Sequence, residues 1–92
     1  MRIRWTDPAV RDLTCICDYI RDHNAPAAAR RVALTLYQST NTLAQFPSSG
    51  RPGRKSGTRE LVIHGLPFLA VYRLHKDSVE ILRVLHGAQN WP

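Results

Sequence analysis

The chain ends in LRVLHGAQNWP, and in that run Arg83 and His86 are residue types that an active site working by acid–base chemistry would use. Such chemistry needs one group to take a proton, another to give one, and a cation beside the developing negative charge. An arginine and a histidine can share that work only if both project into one site. Side chains alternate along a regular strand, so residues three apart point to opposite faces. His86 therefore reads as a strand-end contact residue, not as a proton carrier, and no catalytic set is expected here.

The other reactive side chains are Cys15 and Cys17. On a helix they lie about 200° apart, which disfavours a disulfide between them. A structural zinc takes about four ligands, and the chain has no CxxC or HxxxH pair to begin a set. Both cysteines read as small hydrophobic residues in a reducing compartment. No metal and no cofactor is expected.

The charge balance carries more information. Thirteen Lys and Arg against seven Asp and Glu give a formal net charge of +6. Arg51, Arg54, Lys55 and Arg59 fall in one window that contains no acid. Such a patch favours an acidic partner, either nucleic acid or an acidic protein segment.

These residues must be positioned by a small scaffold. At 92 residues the chain has room for one domain, spanning 1–92. A hydrophobic content of 43% suits a globular fold. No apolar run approaches the roughly 18 residues a membrane span requires. The N-terminus lacks a signal peptide's apolar stretch, so a cytoplasmic location is expected.

RIRW alternates basic and apolar residues, placing Ile3 and Trp5 on one face of a short strand. In TDP, Thr6 or Asp7 can cap a helix whose first turn accepts Pro8. Val10, Leu13, Ile16, Cys17 and Ile20 then form one apolar stripe. DHNAP interrupts it, and a second helix is expected from about residue 25 to 45, with Ala29, Val32, Ala33, Leu36, Leu43 and Phe46 on one side. The run 47–57, with two prolines and three glycines, reads as a loop. Beyond it the period changes to two over residues 58–64, 68–74 and 78–86, separated by GLP and HKD. The expected fold is α+β: an N-terminal strand, an antiparallel helical hairpin, then a three-stranded antiparallel meander.

Alternation sorts Phe68, Ala70, Tyr72 and Leu74 to one face of the middle strand and Leu69, Val71 and Arg73 to the other. In the last strand it pairs Leu82 with Val84, and sets Val79, Ile81 and Leu85 opposite. Two helices cover only one face of a sheet, so the second face is expected to be partly bare and apolar, interrupted by Arg73 and Arg83. That describes a groove for a segment both apolar and acidic, an amphipathic helix or an added strand. A fold-back of the long loop or of the C-terminal tail is the alternative cover. Arg59, Arg73 and Arg83 read as cations for partner carboxylates. Leu69 belongs to the same face and His86 to its edge. Trp91 is either an interface anchor or a residue folded back on the domain.

WTDPAVRDL, YIRDHNAPAAARRV, FPSSGRPGRKSGTRELVI, PFLAVYRL and VEILRVLHGAQNWP together resemble the RelE/ParE toxin superfamily of bacterial type II toxin–antitoxin modules. They look closest to its ParE branch, over essentially the whole chain. The resemblance implies a helical hairpin on a small antiparallel sheet, and a ParD-like antitoxin whose acidic C-terminal segment folds onto the toxin. It also implies a toxin–antitoxin hetero-oligomer that contacts promoter DNA mainly through the antitoxin. RelE-like members cut messenger RNA on the ribosome, whereas ParE-like members poison DNA gyrase without hydrolysing anything. Where RelE-like toxins carry a sheet arginine this chain aligns Leu69. Their lysines fall near Glu60 and Val62, a further arginine near Gln89, and a C-terminal histidine nearer Gly87 than His86. These departures imply gyrase inhibition by binding. A ribosome-dependent endoribonuclease, or an inactive toxin retained as an antitoxin-binding partner, are the alternatives.

Overall fold

The computed structural model describes residues 1–23 and 26–87. The chain runs β1 (Arg2–Trp5), α1 (Asp7–His23), α2 (Pro26–Asn41), a 3-10 turn (Thr42–Ala44), β2 (Arg51–Pro52), β3 (Arg59–Val62), β4 (Phe68–Leu74) and β5 (Ser78–His86). One sheet with the order β1-β5-β4-β3-β2 carries all five strands, antiparallel except for the parallel β1–β5 pair. The α+β class and the expected order of elements are observed, with β2 as an addition inside the run read as loop. Two residues, one of them proline, leave no alternating pattern to recognise.

Between the two candidate caps, Thr6 takes the role: its hydroxyl accepts the Ala9 N–H at 3.2 Å. The same hydroxyl lies 3.0 Å from the Ile81 and Leu82 carbonyls, tying the start of α1 to the far strand. The second helix ends at Asn41, short of the expected 45, because the chain tightens into a 3-10 turn. Leu43 still reaches the core, but Phe46 beyond the turn is exposed. Val10, assigned to the buried stripe, is exposed too, and Ala9 takes the fully buried place. The helix break at Asn24 and Ala25 lies outside the described residues.

The main core lies between the hairpin and the sheet. Leu36 and Leu43 meet Ile63, Ala70, Tyr72, Val79, Ile81 and Val84, with Ile3 and Trp5 against them. Burying a residue such as Leu36 completely contributes about 1.5–3 kcal/mol. A second cluster, Leu69, Val71 and Leu85 with Leu82 beside it, occupies the other face of the sheet.

The faces of β5 differ from simple alternation because of a β-bulge. Arg83 sits opposite Val71 and Ile81 opposite Tyr72, which leaves Leu82 as the extra residue. Past the bulge the sides exchange. Val84 joins Val79 and Ile81 under the helices, while Leu82 and Leu85 share the second cluster. The second face is also not bare: Leu69, Val71 and Leu85 are only 6%, 0% and 4% exposed. The open feature is a groove beside them.

Candidate functional site

The groove has a volume of about 420 Å³ and runs between the β2–β3 loop and the start of α1. Lys55 and Thr58 line its loop side, Arg73, Leu82 and Arg83 its sheet side, and Thr6 its helix side. The bulge brings Arg83 to the face that already carries Leu82 and Arg73, so an apolar side chain and two arginines line one opening. An apolar floor with three cations at the rim suits an amphipathic acidic segment better than a neutral small molecule.

The two arginines are held differently. Arg83 makes a two-pronged contact with Asp12 of α1, Nε to Oδ2 at 2.6 Å and Nη2 to Oδ1 at 2.9 Å. The Val84 N–H donates to the same carboxylate at 2.9 Å. β1 pairs with β5 only as far as Ile81, so past that point Asp12 serves a strand edge that would otherwise lack a partner. The hydrogen bond to Asp12 pushes the Arg83 pKa up, holding the guanidinium charged. Arg73 bonds through Nε to Glu80 at 3.0 Å, and His75 Nε2 lies 3.1 Å from the same oxygen. Both arginines keep N–H donors beyond these contacts, since a guanidinium has five.

Glu80 is held below its ordinary value of 4.5, first by the hydrogen bond from His75 and then by Arg73. Its pKa is thus lower folded than unfolded. The stability it contributes is complete above pH 4.5 and disappears as the pH falls through the folded value. Urea unfolding followed across that window should show a shallower acid loss for Glu80→Gln than for the native chain. Identical slopes would remove Glu80 from the acid response.

The other candidates fall apart from this cluster. Arg59 donates from Nη1 to the Gly50 carbonyl at 2.7 Å and the Ser48 carbonyl at 3.2 Å, so it anchors the chain's own loop. Leu69 underlies the surface and does not form it. His86 sits opposite Phe68 and meets its ring edge-on at 6.0 Å, on the helix side of the sheet. It borders a separate apolar groove of about 330 Å³ with Cys15, Ile16 and Tyr19 of α1. Arg83, opposite Val71, belongs to the other face. Trp91 lies outside the described residues.

Sequence reasoning missed the parts played by Asp12 and Glu60, whereas Lys55 was already in the basic window. Asp12 lies in a helix beside apolar positions, and nothing local distinguishes it from a solvated acid. Glu60 accepts from Arg51 Nε at 3.2 Å and Nη2 at 3.1 Å while itself almost buried. Of the cysteines, Cys15 is exposed and Cys17 half-buried; partial burial pushes the Cys17 thiol up.

A helical hairpin on one face of a five-stranded mixed sheet is the RelE/ParE toxin fold. A family model described as the ParE toxin of the type II toxin–antitoxin system parDE matches residues 3–91, and the chain belongs to that family. It is 47% identical over 91 residues to Y4kP of Sinorhizobium fredii, named as a candidate toxin, covering 99% of this chain and 93% of that one. It is 38% identical over 88 residues to toxin RelE2 of Caulobacter vibrioides, covering 96% and 97%. Among solved structures it is similar to a chain of the chromosomal ParDE toxin–antitoxin system of P. aeruginosa. The TM-score there is 0.86 at 27% identity, over 94% of this chain and 95% of that one. For a chain of the RelBE2 toxin–antitoxin complex of Mycobacterium tuberculosis the values are 0.64 and 26%, over 92% and 95%. The protein is a toxin of a type II toxin–antitoxin system.

Proposed function

We propose that this toxin acts by binding: it engages DNA gyrase, stalls it on cut DNA and hydrolyses nothing itself. A ParD-like antitoxin neutralises it by laying an acidic, amphipathic segment into the groove rimmed by Lys55, Arg73 and Arg83. The carrying observation is that Arg83 and His86 serve opposite faces of the sheet. An acid–base pair closing on one phosphate needs both within hydrogen-bond reach of it. The surroundings agree, because Leu69 is apolar and buried, and Glu60 brings a carboxylate to the sheet.

In support of the partner, the solved relatives belong to toxin–antitoxin systems, and the net charge of +6 favours an acidic segment. The expected assembly is a hetero-oligomer in which the antitoxin makes the DNA contacts. No helix among the described residues is long and apolar enough to cross a membrane.

Purified toxin added to gyrase should inhibit supercoiling and accumulate cleaved DNA, and equimolar antitoxin should reverse both effects. Unaltered gyrase, together with codon-positioned breaks in messenger RNA after induction, would replace this reading with a ribosome-dependent endoribonuclease. Inertness in both assays, with the protein shown to be folded, would leave only antitoxin binding.

A further inference from the structure

Leu69, Val71 and Leu85 lie on the sheet face away from the helical hairpin, yet the single chain buries them almost completely. An antiparallel sheet with nothing laid over one face leaves the side chains of that face in water. Something in the chain must therefore cover these three.

Among the described residues, Leu82 is the hydrophobic side chain packed against the cluster, and it belongs to the same sheet. The loop before β3 is placed elsewhere. Its first half is tied to the helix side, where Tyr72 of the main core donates to the Pro47 carbonyl and accepts the Gly50 N–H. Its second half, with Lys55 and Thr58, lines the groove at the Arg73 end of β4, and Leu69 stands near the other end.

Exposure along the face shows where the cover sits. Val62 of β3 is the register partner of Leu69 and is 57% exposed. Leu85 of β5 is the partner on the other side and is buried. The cover thus lies over β4 and β5 and stops short of β3. Leu85 stands two residues before Gly87, whose N–H bonds the Pro67 carbonyl at the end of the β4–β5 ladder. Ala88, Gln89, Asn90, Trp91 and Pro92 follow, without a charged side chain.

We propose that residues 88–92 fold back across the sheet as a strap, with the Trp91 ring seated on Leu69, Val71 and Leu85. Four residues extend about 13 Å, as far as β5 runs from Gly87 back to Arg83, so the ring reaches the cluster. Its large apolar surface suits three aliphatic side chains. Glu60, opposite Val71, is already paired with Arg51 and makes no demand on the strap. The tether holds the ring beside its seat, which gives it a high effective concentration. The helices close one face of the sheet and the strap closes part of the other, leaving open the groove of Lys55, Arg73 and Arg83. Leu69 is then engaged by the chain itself and is withheld from any partner. Neither the toxin's target nor its antitoxin enters this reading.

The test uses the full-length chain alone. Nuclear Overhauser contacts should join the Trp91 ring to the methyl groups of Leu69, Val71 and Leu85. Ring current should shift those methyls upfield, and Trp91→Ala should return them toward ordinary positions. The same variant should raise the unfolding equilibrium constant at least about tenfold, and Trp91→Phe distinctly less. The contacts are read in the unaltered protein, so a variant that fails to fold cannot hide the answer. Absence of those contacts, or an unchanged unfolding equilibrium in Trp91→Ala, would overturn the proposal. Contacts of the ring with Cys15, Ile16 and Tyr19, in the groove beside His86, would overturn it as well. So would contacts that appear only between differently labelled copies, because the ring would then come from a second molecule.

Discussion

Replacing Asp12 with alanine should lower the unfolding free energy by about 2–3 kcal/mol, read as a shifted urea midpoint with an unchanged slope. One carboxylate takes three hydrogen bonds, two from Arg83 and one from the Val84 N–H. Truncation leaves a half-buried guanidinium without its counter-charge and a strand N–H without an acceptor. Fully buried pairs lose about 3–5 kcal/mol when broken. Here the Arg83 side chain is 37% exposed against 17% for Asp12, so water at the open end offsets part of the loss.

Asp12→Asn retains an oxygen for Val84 and should lose distinctly less. The double variant Asp12→Ala, Arg83→Ala should lose less than the sum of the two single changes, because removing both partners leaves no orphaned charge. A single-variant loss below about 0.5 kcal/mol would mean the pair behaves like an ordinary surface ion pair. On the proposed binding of the antitoxin the link bears on function as well, since it fixes Arg83 at the rim of the groove.

Gly50→Ala should cost about 2–4 kcal/mol, although alanine is better tolerated than glycine in most backbones. The constraint at Gly50 is space. A Cβ there would stand 2.6 Å from the Tyr72 ring and hydroxyl and 2.9 Å from the Glu60 carbonyl oxygen. Tyr72 is completely buried, and the Glu60 backbone is held in the β2–β3 pairing, so neither can withdraw cheaply. The loop must move outward instead. That motion breaks the Gly50 N–H to Tyr72 hydroxyl bond of 2.9 Å and strains the 2.8 Å bond from Tyr72 to the Pro47 carbonyl.

Tyr72→Phe alone should cost about 1–2 kcal/mol by orphaning those two loop groups. In the Gly50→Ala background the same change should cost much less, since the bonds are already lost. Full additivity in thermal or urea unfolding would count against the shared mechanism.

The helical hairpin and the meander were legible because their periods are long enough to be read: Ala29, Val32 and Leu36 at helical spacing, and the alternation of residues 68–74. The bulge was not, because Leu82 is apolar like its neighbours and one extra residue leaves every local signal intact. Its effect is nonetheless large, exchanging the faces of Val84 and Leu85 relative to Val79 and Ile81. Arg73 and Arg83 stood out by their places in apolar strands, and both line the groove. Arg59 was not separable from them, since its loop carbonyl partners are set by a turn whose path no periodicity encodes.

Composition and pattern by themselves determined a basic α+β fold, the order of its main elements and the family it resembles. These follow from local periodicity and summed charge, which need no knowledge of distant contacts. Only the tertiary structure decided that Asp12 clasps Arg83 across 71 positions of chain. It also buried Leu69 and gave Arg59 to the loop. Each of these depends on which segments meet in space, and a one-residue bulge or a two-residue strand is enough to change that meeting.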